Sequence, residues 1–580
     1  MQTDRFITAR LSRLGKVLTA GSLLFLLPTV SVFAATWYLA PDGNDTNSGT
    51  IGSPFLTITR AQSAASFGDT VYLRGGTYFL STSNITATNN PWCIVNNITK
   101  SGISYLAYPG EDPIFNFTNV KPSGYRVTAF LVTATNCTFQ GFEVTGVQVT
   151  IQTNHTQSEC FRIDGGSSNV FNQLSMHDGM ANGWYLTKGS SNLVLNCDAY
   201  NNRGLDSGSI GNTDGFGCHP KSGGKGNVIR GCRAWFNSDD AYDCINASEV
   251  VTFDHCWAMY AGYWTNFVNL GGDGNGFKGG GYGANGSALP NPIPRHVIQF
   301  CVSVRNKNNG FDANYHVGGQ DWFNNTSYRN GVNYNMQECL SNNVTRVPGY
   351  GHVMKNNLGF MGGTEVSNLD MTNSDVSYNY FTLLVVVSSN DFASLDESQL
   401  TQPRQANGDL PDVTFLHLAS GSDLIDAGVN IGFPFDGSAP DLGAFESLTL
   451  FQQWQSLYFG PGYTNNPAAA PDADPDGDGM SNTNEFLVGT NPTNSMSGLW
   501  IISVVQQSND VNITWTTAGG HTNAVQATGG DADGGYATNF IDLSGATIIL
   551  PGSGDATTNY IDAGGATNTP ARYYRIRLVP

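Results

Sequence analysis

Asn192–Cys197 reads NLVLNC, and this pattern of alternating apolar residues that ends in cysteine returns along the chain. It recurs as NVIRGC at Asn227–Cys232, VTFDHC at Val251–Cys256 and VIQFC at Val297–Cys301. Alternation with a period of two is typical of β-strands. Strands that recur at rungs of about twenty or more residues, between Gly and Asn turns, indicate a parallel β-helix. Each rung of such a fold buries its inward side only by stacking on its neighbours.

The cysteines that end these segments, Cys197, Cys232, Cys256 and Cys301, share one position of successive rungs. A buried thiol behaves as a small apolar side chain, so the shared position predicts a stacked interior column. Ten cysteines in an exported chain would also permit disulfides, which is the alternative for this column. No pair has the Cys-x-x-Cys spacing of a metal site.

A second motif repeats in the order polar, small, aromatic and variable residue. It occurs at Asn182–Tyr185, Asp214–Gly217, Asp240–Asp243, Asn275–Lys278 and Asn309–Asp312. We expect the aromatic residue to stack inward and the flanking positions to face an outer groove. On this alignment Asp214 stacks on Asp240, and Asp243 lies beside Lys278, because neighbouring strands are ~4.8 Å apart.

Asp214, Asp239, Asp240 and Asp243 are thereby predicted to crowd four carboxylates into one region, where they cannot all stay ionised without a cation. Several hard oxygen ligands point to Ca²⁺. The alternative for any single aspartate is a hydrogen bond to its own turn backbone. Lys278 lies among glycines, and we expect it to be exposed to a ligand rather than ion-paired at the surface.

The chain is similar at these motifs to the pectate lyases of polysaccharide lyase family nine. The resemblance covers roughly residues 36–446 and rests on DGF at Asp214–Phe216, NSDDAYD at Asn237–Asp243, GNGFKGG at Gly274–Gly280, NGFD at Asn309–Asp312 and the tail Gly421–Glu446. It implies an all-β, right-handed parallel β-helix, one catalytic Ca²⁺ held by the four aspartates, and Lys278 as the base. The chain departs from the family pattern at Ala241 and at Cys218–Pro220.

The implied reaction is β-elimination in a uronate polymer such as pectate, which begins with removal of the C5 proton next to the sugar carboxylate. A divalent cation on that carboxylate stabilises the charge that develops, and a lysine beside it is shifted toward its neutral, basic form. Lys221, Arg305 and His316 are weaker candidates for binding substrate carboxylates, and the alternative for each is an ordinary surface or turn residue. The alternatives are a polygalacturonase-type hydrolase, which needs an acid and a base carboxylate, and a non-catalytic glycan-binding surface protein.

The charge of the chain limits its partners. There are 27 basic and 46 acidic residues, for a net charge of −19, which argues against binding to nucleic acid. Charged residues make up only 13% of the sequence and hydrophobic residues 40%, so the chain can bury a large core. We expect a monomer whose partner is an acidic polysaccharide, with the cation bridging two negatively charged surfaces.

Residues 1–34 have the pattern of a secretory signal peptide. Arg5, Arg10 and Arg13 precede the apolar run Val17–Leu27, and Val32–Ala34 resembles a cleavage site. The apolar run is shorter than the ~20 residues that a membrane span needs. The sequence therefore predicts a secreted, extracellular protein, at the cell surface or in the periplasm, without a membrane span.

The remaining chain divides into a β-helix catalytic domain at 35–450, a linker at 451–497 and a fibronectin-like β-sandwich at 498–580. In the linker, Asp474, Asp476, Asp478 and Glu485 match positions 1, 3, 5 and 12 of an EF-hand loop. The segment resembles the single calcium loops of thrombospondin type-three-like linkers, which implies a structural Ca²⁺. The alternative is a solvated acidic linker.

Overall fold

A computed structural model describes residues 34–151, 157–204, 211–269, 271–447, 449–460, 462–463, 466–567 and 570–579. Residues 1–33 of the expected signal peptide lie outside this range. Within it, no helix combines the length and the apolar character needed to pass through a bilayer.

Three long parallel sheets form the body of the protein. The first contains β1 (Thr36–Leu39), β2 (Thr70–Leu73), β6 (Ser104–Ala107), β9 (Thr138–Gln140), β12 (Val170–Asn172), β15 (Leu193–Leu195), β18 (Asn227–Arg230), β21 (Val251–Asp254), β24 (Val297–Gln299), β27 (Asp321–Phe323), β32 (Val353–Lys355) and β35 (Asp375–Ser377). The second contains β3 (Gly76–Ser81), β7 (Pro113–Asn119), β10 (Glu143–Thr145), β13 (Ser175–His177), β16 (Asp198–Tyr200), β19 (Arg233–Trp235), β22 (Trp257–Met259), β25 (Val302–Val304), β28 (Thr326–Tyr328) and β33 (Leu358–Phe360). The third contains β4 (Ala87–Asn89), β5 (Trp92–Ile98), β8 (Arg126–Val132), β11 (Ser158–Asp164), β14 (Ala181–Lys188), β17 (Phe216–Cys218), β20 (Tyr242–Asp243), β23 (Phe277–Lys278), β26 (Asn309–Asp312), β29 (Val332–Asn335) and β34 (Thr364–Ser367).

The chain visits the three sheets in turn, which makes each rung of a parallel β-helix. The corner between the first and second sheets is a single residue in the left-handed region. Asn196, Gly231, His255 and Phe300 take this role on successive rungs, with φ between 51° and 63°. Asn and Gly adopt this conformation readily, and the residue that follows each corner is the inward-facing cysteine.

The interior is filled by columns of like side chains, as the repeats predict. All ten cysteines lie in the described part of the chain and are buried free thiols, which confirms packing rather than disulfides for the column that begins at Cys197. The aromatic column of the third sheet is also in register: the rings of Phe216 and Tyr242 are 5.2 Å apart, and those of Tyr242 and Phe277 are 4.6 Å apart. Offset ring stacking of this kind adds about 1 kcal/mol per pair beyond burial.

The β-helix extends on both sides of residues 182–312, where the two sequence motifs recur. Coils begin at β1 and β2 and continue to β35. The end rungs keep the alternation of inward and outward residues but lack the polar-small-aromatic motif on which the sequence prediction depended. After the last rung, the chain returns along the second sheet, where Arg233 donates to the carbonyl oxygen of Leu400 at 3.0 Å and Arg404 pairs with Asp198 at 2.7 Å.

Short elements decorate this body. The helix α1 (Ile58–Ala64) lies near the first rungs, and the antiparallel pair β30 (Glu338–Cys339) and β31 (Arg346–Val347) lies near the last ones. The helices α2 (Leu450–Phe459) and α3 (Asn482–Val488) occupy the expected linker.

The C-terminal part is the predicted small β-sandwich. One antiparallel sheet contains β36 (Ile501–Gln507), β37 (Asp510–Ala518) and β40 (Asp555–Asp562), and the other contains β38 (Thr522–Gly530), β39 (Ile541–Ile549) and β41 (Ala571–Val579). Val511, Ile513, Trp515, Val525 and Ala546 form the buried cluster that the two sheets share.

Candidate active site and metal centre

A ladder of polar side chains runs along the third sheet, two residues before each inward aromatic residue. Its members are Glu159, Asn182, Asp214, Asp240, Asn275 and Asn309. Four of these side chains accept the backbone N–H of the next rung: Asn182 from Asp214 at 2.8 Å, Asp214 from Asp240 at 3.2 Å, Asp240 from Asn275 at 2.8 Å and Asn275 from Asn309 at 3.1 Å. The same backbone bond is thus made by amides and by carboxylates, so two stacked aspartates add charge without changing the scaffold.

The two ladder aspartates belong to a carboxylate cluster. Asp214, Asp239 and Asp240 each offer an oxygen within 4.8 Å of the others. Burial, followed by repulsion between the carboxylates, raises the pKa of Asp214 and Asp239 well above the ordinary value and that of Asp240 to about 6. Asp243 accepts the backbone N–H of Ile245 at 2.6 Å through Oδ1. A hard divalent cation would relieve this repulsion, and an all-oxygen donor set fits Ca²⁺.

Lys278 faces these carboxylates from the next strand. The register pairs it with Asp243, as the motif alignment predicts. Its Nζ lies 3.0 Å from Asp240 Oδ2, 3.4 Å from Asp243 Oδ2 and 3.8 Å from Asp273 Oδ2. Burial lowers the pKa of Lys278, but the surrounding carboxylates outweigh it and raise that pKa well above the ordinary value.

The expectation that Lys278 is exposed to a ligand rather than ion-paired is wrong in two respects, because its side chain is only 11% exposed and its Nζ pairs with Asp240. The cause is the chain segment before it: the amide of Asp273 donates to Asp239 Oδ1 at 2.7 Å, which holds that loop against the cluster. Gly272 permits the approach, since a Cβ there would lie 2.2 Å from the carbonyl oxygen of Ser238. The ammonium group therefore faces a cavity rather than bulk solvent.

This cavity has a volume of about 350 Å³. It is lined by Asp214, Asp239, Asp243 and Lys278 together with residues that are not among the predicted site residues, namely Gln157, Tyr185, His219 and Asp273. Tyr185 holds the variable position of the repeated motif, so the alignment that placed Lys278 could also have placed it. His219 is held by its Nδ1, 2.7 Å from the carbonyl oxygen of Ile245.

The three residues expected to bind substrate are not gathered here. Lys221 is exposed, two residues beyond His219. Arg305 lies at the end of β25, with its guanidinium 3.9 Å above the Phe267 ring and 3.5 Å from Glu397. Neither Lys221 nor Arg305 lines the cavity.

His316 is a wrong prediction, because its ring is completely buried. Its Nε2 lies 3.0 Å from the carbonyl oxygen of Pro294, and its Nδ1 accepts the N–H of Gly281 at 3.2 Å. Both ring nitrogens are used inside the protein, so neither is available to a sugar.

A second acidic cluster lies in the linker. Asp474, Asp476 and Asp478 each place an oxygen within 4.8 Å of the others. The loop turns at Gly479, whose φ is +94°. Asp476 Oδ2, Asp478 Oδ2 and Glu485 Oε2 are buried and have no hydrogen-bond partner among the described residues. Burial and then the neighbouring aspartates raise the pKa of Glu485 to about 7. Unpartnered buried carboxylate oxygens around one point fit a hard divalent cation.

Comparisons with known proteins agree with this fold. A family model described as the Pel9A-like, right handed beta helix region matches residues 37–357. Pectate lyase L of Dickeya chrysanthemi is 34% identical over 454 residues, which cover 74% of this chain and 97% of that protein. Pectate lyase PEL9 of Emericella nidulans is 31% identical over 334 residues, which cover 52% of this chain and 74% of that protein.

Two solved structures are similar over most of their length. A rhamnogalacturonan lyase has 43% identity and a TM-score of 0.65, over 67% of this chain and 97% of that one. Pectate lyase Pel9A has 31% identity and a TM-score of 0.59, over 71% and 96%. The extent of these matches confirms the resemblance seen in the motifs: the chain belongs to the Pel9A-like right-handed β-helix family of polysaccharide lyases.

Proposed function

We propose that the chain is a secreted, Ca²⁺-dependent lyase that cleaves uronate polymers by β-elimination, with Lys278 as the base. The observation that carries this proposal is the position of the Lys278 Nζ, 3.0 Å from Asp240 Oδ2 at the edge of the carboxylate cluster. One cavity thereby holds both an amine that can accept a proton and a set of oxygens suited to a cation. Family membership favours this lyase over the hydrolase and the non-catalytic glycan-binding protein.

Asp214, Asp239, Asp240 and Asp243 would hold the Ca²⁺. Bound there, the ion would supply a positive charge for the substrate carboxylate and for the charge that develops at C5. Asp214 and Asp240 are already fixed by the backbone N–H groups that they accept. This preorganisation means that the ligands need not rearrange when the substrate arrives.

Lys278 Nζ would receive the C5 proton. The C5–H bond breaks, a C4=C5 double bond forms, and the glycosidic bond at C4 breaks as its electron pair leaves with the oxygen. When no cation is bound to the cluster, the negative charges of Asp240 and Asp243 hold the lysine in its protonated form. Once their charge is neutralised, burial dominates and favours the neutral amine that the reaction requires.

The name of one solved relative, a rhamnogalacturonan lyase, makes rhamnogalacturonan a second candidate substrate. The rhamnogalacturonan lyase structure has the higher identity of the two solved relatives, 43% against 31%. Rhamnogalacturonan and polygalacturonate both contain uronate units with a C5 proton next to a carboxylate, so the same residues could act on either. The ratio of kcat/KM on the two polymers distinguishes the candidates.

The test of the proposed reaction is an absorbance assay for the unsaturated product, on both polymers and on methylated pectin and alginate, with and without chelator. We expect absorbance that chelation abolishes and added Ca²⁺ restores. New reducing ends without this absorbance would favour the hydrolase. Polymer binding without any cleavage would favour the non-catalytic alternative.

We also propose that Asp474, Asp476, Asp478 and Glu485 bind a second, structural Ca²⁺. The three unpartnered buried oxygens support this site. It would brace the linker at 451–497 between the catalytic domain at 35–450 and the sandwich at 498–580. The working unit would be a monomer that acts on an acidic polysaccharide outside the cell.

A further inference from the structure

The outward side chains of the third sheet form one line that leads away from the base. The register pairs Lys278 with Asp243, Asp243 with Gly217, Gly217 with Tyr185, and Tyr185 with Arg162. Four strand steps of ~4.8 Å separate the first and last of these residues, a distance of about 19 Å along the sheet. Arg162 thus shares a face with the residues of the cavity.

Arg162 is one of two guanidinium groups that share a single carboxylate. Glu159 Oε1 lies 3.1 Å from Arg162 Nη1 and 3.3 Å from Arg126 Nη2, and its side chain is fully buried. Both guanidinium groups also lie over the Trp92 ring, at 5.1 Å and 4.8 Å from its centroid. Two cations and one anion leave one excess positive charge, in a chain whose net charge is −19.

The cavity around Lys278 reaches this arginine pair through two residues. Gln157 lines the cavity, and its backbone oxygen accepts a hydrogen bond from Arg126 Nε. Tyr185 also lines the cavity, and the Arg162 guanidinium lies 5.9 Å from its ring centroid. Two residues that line the cavity therefore also contact the arginine pair.

Glycine lets two rings pack against the middle of this line. At Gly217 a Cβ would lie 2.6 Å from the Tyr185 ring and 2.8 Å from His219 Nε2. Any side chain at this position would displace these rings. Glycine therefore allows Tyr185 and His219 to line the cavity between Arg162 and the carboxylate cluster.

We propose that Arg162, supported by Arg126, forms a subsite that binds a carboxylate of the uronate polymer several sugar units from the bond that is cleaved. This inference rests on the proposed function, since it assumes an acidic polymer in the groove. A guanidinium fork matches a carboxylate with two parallel hydrogen bonds. Arg162 is the better exposed of the pair, at 18% against 13% for Arg126, so it meets the polymer while Arg126 balances Glu159.

The kinetic test compares Arg162→Gln with the wild type on long polygalacturonate and rhamnogalacturonan and on a trisaccharide too short to reach from Lys278 to Arg162. We expect KM for the bound polymer to rise about tenfold, as for the loss of a charge-assisted pair, with kcat changed less than twofold and the trisaccharide unaffected. Arg329→Gln is the matched control, because Arg329 is a partly exposed guanidinium that pairs with Glu397 at 2.8 Å, away from this line. Equal effects of the two variants, or equal losses on short and long substrates, would overturn the subsite.

A binding test separates failure of the subsite from failure of the proposed function. In the full chain carrying Lys278→Ala, retardation in gels that contain the polymer reports binding without turnover. If that parent protein is not retarded by any acidic polymer, the proposed function fails. If it is retarded and added Arg162→Gln changes nothing, only the subsite fails.

Arg162→Lys guards against a folding defect, because it keeps a cation beside Glu159. We expect it to retain the thermal midpoint of the wild type and to weaken polymer binding less than Arg162→Gln does, since it loses the fork but not the charge. Unchanged polymer binding in both folded variants would contradict the proposal.

Discussion

Asp243 and Lys278 are register partners on β20 and β23, and their Oδ2 and Nζ atoms are 3.4 Å apart. The pair occupies one position of a repeated motif on consecutive rungs, where the other rungs carry Tyr185, Gly217 and Asp312. The fold therefore brings an amine and a carboxylate of the proposed metal site together by stacking one strand on the next. The chemistry proposed for the cavity depends on this adjacency and on the contact between Lys278 Nζ and Asp240 Oδ2.

Lys278→Ala is expected to lower kcat by a factor of about 10³ and to leave polymer binding intact, because a positioned base contributes about 10²- to 10⁴-fold. Initial rates of product absorbance and retardation in polymer gels measure the two effects. Lys225→Ala is the control, since Lys225 is an exposed lysine that does not line the cavity. Full activity in Lys278→Ala would exclude the lysine as the base.

Asp214→Asn is expected to preserve the fold and weaken Ca²⁺ binding. Asparagine makes the same ladder bond at Asn182 and Asn275, so the backbone N–H of Asp240 keeps its partner. Removing one of the crowded charges should raise the thermal midpoint in chelator and lower it relative to the wild type in excess Ca²⁺. Thermal unfolding under both conditions measures this reversal, and a variant that is destabilised in both would contradict it.

His316 should make the protein less stable in acid. Burial lowers the pKa of His316 to about 4, whereas it is ~6.5 in the unfolded chain. The neutral ring is favoured in the folded state, so its contribution is complete above pH 6.5 and is lost as the pH falls toward 4. Between pH 6.5 and 5 the loss amounts to about 2 kcal/mol.

The measurement is urea unfolding of the wild type and of His316→Gln over that pH range. Buried carboxylates such as Glu338, whose pKa burial raises to about 8, act in the opposite direction, so the difference between the two proteins is the quantity to compare. We expect this difference to change with pH. His255→Gln, at a half-exposed ring, is the control and should follow the wild type.

Glu485→Gln is expected to remove one bound Ca²⁺ without changing turnover. Calorimetric titration of the full chain should give two ions for the wild type and one for the variant, and limited proteolysis should cut the variant faster within 451–497. Asp472→Asn is the matched control, because Asp472 is an exposed acid just outside the loop. Unchanged stoichiometry in Glu485→Gln would count against the linker site.

The sequence predicted the parts of the site that follow the repeat. Counting from the inward aromatic residue placed Asp214 on Asp240 and Asp243 beside Lys278, because the side-chain period of a strand is two and the rungs stack in register. The same counting failed for residues outside the strands. His316 follows the end of β26, where the chain turns its side chain inward, and no periodic pattern marks that turn.

Loops were the second source of error. Asp273 and the glycines before it cover Lys278, but their positions depend on a long insertion between β22 and β23 that has no repeat. Arg162 was overlooked for a different reason: its proposed role depends on a line of residues that spans five strands, and only the register of the sheet reveals that line. The roles assigned to the four aspartates, Lys278 and the linker loop stay predictions until these experiments are done.

The polar ladder has a bearing on how such enzymes diversify. Asparagine and aspartate accept the same backbone N–H group on neighbouring rungs. Exchanging one for the other would therefore move the proposed cation site by one rung and leave the backbone unchanged. Asn275→Asp would extend the acidic part of the ladder by one rung, and Asp214→Asn would shorten it by one rung. The β-helix thus offers a series of equivalent ladder positions, and the choice of asparagine or aspartate at each decides where negative charge gathers.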